Sequence, residues 1–188
     1  MNAADVFLRV VGLLEVAQIP YMVTGSFASS FHGTPRTTQD IDLIVFPTVG
    51  QLRGFLQSLP ASDYYVSGPE ALEALERQGQ FNVIDLKGGW KIDFIIGKNR
   101  PFSREEFARR AVVNFMGMSL TMASVEDTIL AKLEWSKLGE STRQLEDVAA
   151  MLRIRHDEID TEYLTRWIEA LGLDEVWSRA RRLADSAT

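Results

Sequence analysis

The chain has 188 residues, and its 46% hydrophobic and 24% charged residues exclude disordered and collagen-like proteins and fit one well-packed domain with a small helical addition. The net charge of −6 argues against a protein that binds nucleic acid through a broad positively charged surface. The absence of cysteine excludes disulfides, thiolate nucleophiles and cysteine-ligated zinc, so any metal site would be built mainly from oxygen.

The first two thirds of the chain combine helix and strand patterns. Apolar residues at helical spacing predict a first helix over 3–17, which Pro20 ends. The patterns that follow predict strands over 21–24, 40–46, 81–86 and 90–96, helices over 27–31, 49–59 and 69–78, and a strand pair within 111–122. The Gly-Gly pair in Lys87-Gly88-Gly89 predicts a hairpin between the strands on either side.

From Ser124 onward the pattern is helical, in segments near 125–138, 141–152, 160–171 and 173–184. Strands first and helices last predict an α+β fold, with a mixed β-sheet core flanked by helices and a C-terminal helical portion. We expect the core to cover 1–123 and the helical portion to cover 124–188 and to pack on it. The front part has 11 basic and 12 acidic residues and the tail has 9 and 14, so the acidity is concentrated in the tail.

The N-terminal segment does not have the pattern of a signal peptide or a membrane anchor. Asp5 and Glu15 lie among its apolar residues, and no apolar run approaches the ~18 residues of a membrane-spanning helix. We therefore expect a cytoplasmic protein without a membrane partner.

Two aspartates, Asp40 and Asp42, open an otherwise apolar strand, where aspartate is disfavoured. Because strand side chains alternate, both carboxylates lie on one face and Ile41 and Leu43 on the other. Two like charges this close need a cation, and their oxygens suit magnesium, which also takes water and substrate phosphates. The alternative is that both aspartates stand at the start of the strand and face water.

Gly25-Ser26 lies between a short strand and a helix. At such a position exposed backbone N–H groups and the helix dipole can hold phosphate oxygens, because glycine has no side chain to obstruct them. The alternative is an ordinary turn in which the serine caps the helix.

A third carboxylate, Asp93, lies inside the strand over 90–96, where an uncompensated charge would be costly. Beside a bound divalent ion it could complete the metal site and take the proton from an attacking hydroxyl. The alternative is an edge-strand aspartate paired with Lys91, Arg100 or another nearby cation.

Val23-Thr24-Gly25-Ser26, thirteen further residues, Asp40-Ile41-Asp42-Leu43 and the later Asp93 together resemble the nucleotidyltransferase superfamily that shares the palm of DNA polymerase beta. The resemblance implies that the three aspartates hold Mg²⁺ (or Mn²⁺) and carry catalysis, with Asp93 as a possible base. It also implies that Gly25 and Ser26 bind the phosphates of a nucleoside triphosphate. Ser26 stands where many members have a second glycine.

A second set of motifs looks like the bacterial nucleotidyltransferase-like proteins related to abortive-infection type IV toxins. It consists of Arg36-Thr37-Thr38-Gln39 before the aspartate pair, then Glu126-Asp127, Ala131-Lys132-Leu133 and Arg143-Gln144-Leu145-Glu146-Asp147. The resemblance implies that Lys132 contacts the triphosphate, that Asp147 orients it or the acceptor, and that Arg36 and, more weakly, Arg143 contact phosphate. The alternative for the tail residues is a solvated charged face with local ion pairs.

These observations predict an enzyme that transfers a nucleoside monophosphate from a nucleoside triphosphate to an acceptor hydroxyl and releases pyrophosphate. The acceptor stays open among a small molecule such as an aminoglycoside, a tRNA end and a protein side chain. A basic segment over 98–110 could line an acceptor groove, especially for RNA, or form a solvated helix face. The alternative function is a non-catalytic nucleotide-binding module or one component of a toxin–antitoxin pair.

Overall fold

The computed structural model describes residues 3–139 and 141–186. In chain order these residues form α1 (Ala3–Val16), β1 (Tyr21–Thr24), α2 (Gly25–His32), β2 (Asp40–Val45), α3 (Val49–Ser58), β3 (Tyr64–Val66), α4 (Gly68–Arg77), β4 (Gln80–Asp85), β5 (Trp90–Ile96), α5 (Pro101–Ala108), β6 (Ala111–Phe115), β7 (Met118–Met122), α6 (Val125–Gly139), α7 (Thr142–Arg155), α8 (Thr161–Leu171) and α9 (Asp174–Ser186).

The described residues form two compact units. The sheet unit contains the residues up to Thr24 and Thr37–Met122, and the helical unit contains Gly25–Arg36 and the residues from Ala123 onward. The helical unit therefore includes a segment from early in the chain in addition to the C-terminal helices. A division into two domains at residues 123 and 124 stays a prediction.

The sheet unit is built on a seven-stranded mixed sheet with the strand order β3-β4-β5-β2-β1-β7-β6. The pairs β2–β5 and β1–β7 are parallel, and the other four neighbouring pairs are antiparallel. The hairpin predicted from the Gly-Gly pair is present, with β4 and β5 in register from Gln80↔Ile95 to Asp85↔Trp90. The predicted α+β fold with a mixed sheet and a helical C-terminal part is confirmed.

One face of this sheet is covered by helices. Strand β2 alternates between buried Ile41, Leu43 and Val45 and more exposed positions, as side-chain alternation requires. On the buried face the Phe55 ring of α3 lies 5.3 Å from the Phe94 ring of β5. On the same face Arg9 of α1 pairs with the fully buried Asp85 of β4 at 2.8 Å. The opposite face carries the aspartates of β2 and β5.

The helical unit packs α2 against α6 and α7, and α6 in turn contacts α7, α8 and α9. Its buried apolar residues include Ile129, Leu133, Leu145, Val148, Met151 and Leu164. His32 at the end of α2 donates a hydrogen bond from Nε2 to the carbonyl of Ala123, at 2.8 Å. Among the described residues no helix is both long and apolar enough to cross a membrane.

Two of the elements differ from the sequence prediction. Strand β3 was not predicted, because three residues are too few for an alternating pattern to be recognised. The basic segment contains a regular helix, α5, which begins at Pro101 and agrees with the reading of this segment as a helix face. Helix α2 begins at Gly25 rather than at residue 27, because glycine accepts the left-handed φ of 61° with which the chain turns from strand to helix.

Candidate active site

The sheet unit brings the three predicted aspartates to one face. In the parallel pair β2–β5, Asp40 is in register with Lys91 and Asp42 is in register with Asp93. Registered residues of neighbouring strands point to the same side of a sheet, about 4.8 Å apart in the strand-to-strand direction. The predicted common face of Asp40 and Asp42 is therefore present, and the strand order adds Asp93 to it. We call Asp40, Asp42, Asp93 and Lys91 the carboxylate face.

Two polar residues extend the central row of this face. Thr24 of β1 is in register with Asp42, and Asn82 of β4 is in register with Asp93. The row across four adjacent strands therefore reads Thr24, Asp42, Asp93, Asn82. Neither Thr24 nor Asn82 was proposed from the sequence, because their positions beside the aspartates depend on strand pairing between distant segments.

Lys91 lies within the carboxylate face. Its Nζ is 2.7 Å from Oδ2 of Asp93, two residues along the same strand. The hydrogen bond to Asp93 raises the pKa of Lys91 above its ordinary value, and the negative charges of Asp93, Asp40 and Asp42 act in the same direction against the opposing effect of burial. The ion pair that we considered as the alternative role of Asp93 is thus present, although β5 is an interior strand of the sheet.

The donor chemistry of the carboxylate face fits a divalent ion. Among the described residues no three acidic, histidine or cysteine side chains are grouped so that they could hold a metal by themselves. Magnesium does not require three, since it takes one or two carboxylates and completes its shell with water and substrate phosphates. The ammonium of Lys91 already shows that a cation is accommodated among these carboxylates. The carboxylates of this face thus offer oxygen donors of the kind that Mg²⁺ or Mn²⁺ takes when a bound substrate supplies the other ligands.

The helical unit gathers a second group of predicted residues around Asp147 of α7. Lys132 of α6 places Nζ 2.7 Å from Oδ2 of Asp147, and only 4% and 11% of the two side chains are exposed. Arg36 places Nε 3.3 Å from Oδ1, an ion pair without hydrogen-bond geometry, and its Nη2 donates to Oδ2 at 3.3 Å. We call these three residues the Asp147 cluster.

Serines of α2 join this cluster. Arg36 donates from Nη2 to Oγ of Ser26, and Ser29 donates from Oγ to Oδ2 of Asp147 at 3.4 Å. A cavity of about 260 Å³ adjoins the cluster, with Ser29, Thr34, Arg36 and Asp147 in its lining. The cluster carries two cations and one carboxylate, a formal charge of +1, and the cavity lining adds one carboxylate, Glu146, and one cation, Arg153.

Arg143 is exposed in the first turn of α7, and the contacts of the cluster given above do not include it. Gln144 takes part instead, because its Oε1 accepts a hydrogen bond from Nζ of Lys132 at 2.8 Å. Gln144 and Asp147 are three residues apart and so share a helix face. That spacing was the sequence signal that could have identified Gln144.

The fold is similar to several solved structures, whereas no protein-family model and no curated protein sequence matches the chain. The antibiotic-resistance factor ANT(2'')-Ia aligns with 100% of this chain and 98% of its own, at a TM-score of 0.52 and 15% identity. The lincosamide antibiotic adenylyltransferase LnuA, bound to lincomycin, aligns over 82% and 98%, at a TM-score of 0.57 and 12% identity.

A third similar structure is an antigenic nucleotidyltransferase-like protein from Paracoccidioides brasiliensis, which aligns over 92% of this chain and 89% of its own. Its TM-score is 0.52 and its identity is 16%. At such low identity the likeness concerns the fold. The chain therefore has the fold of a group of structures that includes an adenylyltransferase and a nucleotidyltransferase-like protein.

Proposed function

We propose that the protein is a metal-dependent nucleotidyltransferase, which moves a nucleoside monophosphate from a nucleoside triphosphate to an acceptor hydroxyl and releases pyrophosphate. The observation that carries the proposal is the register of Asp42 with Asp93, which puts both carboxylates on one face with Asp40. A fold shared with an adenylyltransferase supports it.

The carboxylate face would serve the in-line displacement at the α-phosphorus. The bond from the acceptor oxygen to the α-phosphorus forms, the bond from that phosphorus to the bridging oxygen breaks, and pyrophosphate leaves. Asp40 and Asp42 would hold the divalent ion, and Asp93 would share that task or take the hydroxyl proton. Magnesium or manganese, when bound, supplies positive charge to the phosphate oxygens.

The Asp147 cluster would bind phosphate. Asp147 fixes the positions of Lys132 and Arg36, and the remaining positive charge suits an anion. We propose the same role for Gly25 and Ser26, and support comes from the hydrogen bond between Arg36 and Ser26. Arg143, exposed on α7, stays a weaker candidate for the same role.

We propose a small hydroxylated molecule as the acceptor, because two of the similar structures are an antibiotic-resistance factor and an antibiotic adenylyltransferase. The net charge of −6 makes a tRNA end less favourable, because RNA carries negative phosphates. Membership of the branch related to abortive-infection type IV toxins, with a possible toxin–antitoxin partner, is a further proposal. Lys132 of α6 and Asp147 of α7, two of the residues on which that resemblance rests, form an ion pair with each other.

The ion pair between Lys91 and Asp93 favours a second candidate function, a nucleotide-binding module without catalysis, because Lys91 occupies the carboxylate that would act as base.

Incubation with α-labelled triphosphates and separate pools of RNA, protein and small hydroxylated compounds distinguishes the transferase from the binding module. Label in the small-molecule pool supports the first proposal, label in RNA or protein corrects the acceptor, and label in no pool favours the binding module.

The metal and nucleotide assignment is tested by thermal unfolding with each triphosphate, with and without Mg²⁺. We expect Mg²⁺-dependent stabilisation of about 2.7 kcal/mol at a ligand concentration of about 100 Kd. Asp42→Asn should abolish it because a metal ligand is lost. Asp63→Asn, which alters an aspartate paired with Lys87 outside the site, is the matched control and should retain it. Equal stabilisation of both variants would contradict the assignment.

A further inference from the structure

The position of Lys91 has a consequence for metal binding. Its ammonium lies 2.7 Å from Asp93, and the register of β2 with β5 places Asp40 opposite Lys91 and Asp42 opposite Asp93. The Asp93 side chain is 14% exposed and that of Lys91 is 43% exposed. One partly exposed cation therefore pairs with Asp93 on a face that carries three carboxylates of two adjacent strands.

Electrostatics explains why a cation is needed at this place. Three carboxylates on neighbouring strands repel one another, and a partly buried charge without a partner is costly. Lys91 reduces the formal charge of the carboxylate face from −3 to −2. A divalent ion would meet the same requirement, so Lys91 and the metal ion bind to overlapping oxygens.

The chemistry of lysine makes this ion pair reversible. An ammonium group is a compact, strongly hydrated charge on a flexible stem, unlike the planar fork of arginine, which holds a carboxylate through two hydrogen bonds. With 43% of its side chain exposed, Lys91 can move off Asp93 into water without breaking the packing of the sheet.

We propose that Lys91 is an internal counter-ion that occupies Asp93 and competes with the divalent metal ion. Lys91 is then a positioning residue that keeps the affinity for the free metal ion low, and it leaves Asp93 before Asp93 binds metal or takes a proton. This inference rests on the proposed function, in which Asp40, Asp42 and Asp93 hold the metal.

The test measures Mn²⁺ binding to the full chain without nucleotide, from the electron paramagnetic resonance signal of free Mn²⁺. Lys91→Met should bind Mn²⁺ about tenfold more tightly than the unchanged protein, since a neighbouring opposite charge shifts proton binding to a carboxylate by about 1–3 log units and should act on Mn²⁺ in the same sense. Lys91→Gln is a second, polar variant with the same expectation. Lys91→Arg should bind Mn²⁺ as weakly as the unchanged protein does, because it keeps a positive charge at this position.

Lys87→Met is the matched control, because Lys87 also pairs with an aspartate, Asp63, at 2.6 Å, but outside the carboxylate face. Its Mn²⁺ affinity should equal that of the unchanged protein. Equal or weaker Mn²⁺ binding by both Lys91→Met and Lys91→Gln would overturn the inference.

A double variant separates this inference from the function on which it rests. Asp42→Asn added to Lys91→Met should remove the tight Mn²⁺ binding. If it does not, the metal assignment itself fails and the proposed function fails with it. If the unchanged protein loses Mn²⁺ binding through Asp42→Asn while Lys91→Met changes nothing, only the role of Lys91 is refuted.

Discussion

His32 shows how burial changes the chemistry of one side chain. Only 9% of the residue is exposed, and Nε2 donates to the carbonyl of Ala123. Burial lowers the pKa of His32 below its ordinary value of 6.5, because the charged form loses hydration, and the hydrogen bond to Ala123 offsets part of this effect. The nearby Arg155 lowers the pKa further, while Glu126 and Glu158 raise it.

A lowered histidine pKa makes stability depend on pH. Below 6.5 the unfolded chain binds the proton more readily than the folded chain does, so the free energy of unfolding falls until the pH reaches the folded pKa. We expect the melting temperature to decrease as the pH falls below 6.5. His32→Gln keeps a donor for the Ala123 carbonyl but cannot titrate, so its decrease should be smaller. An identical decrease in both proteins would contradict the assignment.

Individual residues also show which parts of the candidate site can be predicted from the sequence. The spacing of Asp40 and Asp42 is local, and alternation in one strand places them on a common face. The positions of Arg36 and Lys132 beside one carboxylate are not local, because Arg36 and Asp147 are 111 residues apart in sequence. The resemblance to nucleotidyltransferase-like proteins suggested that these residues share a role at the nucleotide. Their contacts with one another are seen only in the tertiary structure.

Two helices of the helical unit are joined at their first turns. In the first turn of α6, Asp127 is fully buried and accepts hydrogen bonds from Ser124 at 2.6 Å and from the hydroxyl of Tyr163 in α8 at 2.5 Å. The neighbouring Glu126 accepts from the backbone N–H of Asp160, which caps α8, at 2.9 Å. Carboxylates in the first turn of α6 thus fix where α8 begins.

Removing the hydroxyl of Tyr163 tests this connection. Tyr163→Phe should lower the free energy of unfolding by about 1–3 kcal/mol, because a buried carboxylate loses one of its donors. Tyr65→Phe is the matched control, since Tyr65 is 64% exposed and should change stability by less than about 0.5 kcal/mol. Urea unfolding followed by circular dichroism measures both. A loss in Tyr163→Phe no larger than in the control would show that the bond contributes little.

The charge of the whole chain is unevenly distributed along the sequence, with most of the net −6 in the C-terminal part. The basic segment over 98–110 is the exception, yet its arginines have local partners. Arg100 donates to Ser103, Arg104 donates to Asn99, and Arg110 lies over the ring of Phe107. These contacts favour a helix surface over a groove that binds RNA.

We therefore expect weak binding to polyanions in general. The protein should pass through a heparin column at about 150 mM salt, because its net charge of −6 repels a polyanion and the arginines of the basic segment make local contacts. Retention that persists at higher salt, and that is lost when Lys98 and Arg104 are replaced by glutamine, would show that the basic segment does bind anions.

The sequence by itself determined most helices and strands, because their patterns repeat over a few residues, and it determined the common face of Asp40 and Asp42 for the same reason. The tertiary structure decided the rest. It placed Asp93 beside Asp42, paired Lys91 with Asp93 and surrounded Asp147 with Arg36 and Lys132. Strand order and helix packing depend on contacts between distant segments, which local periodicity does not specify.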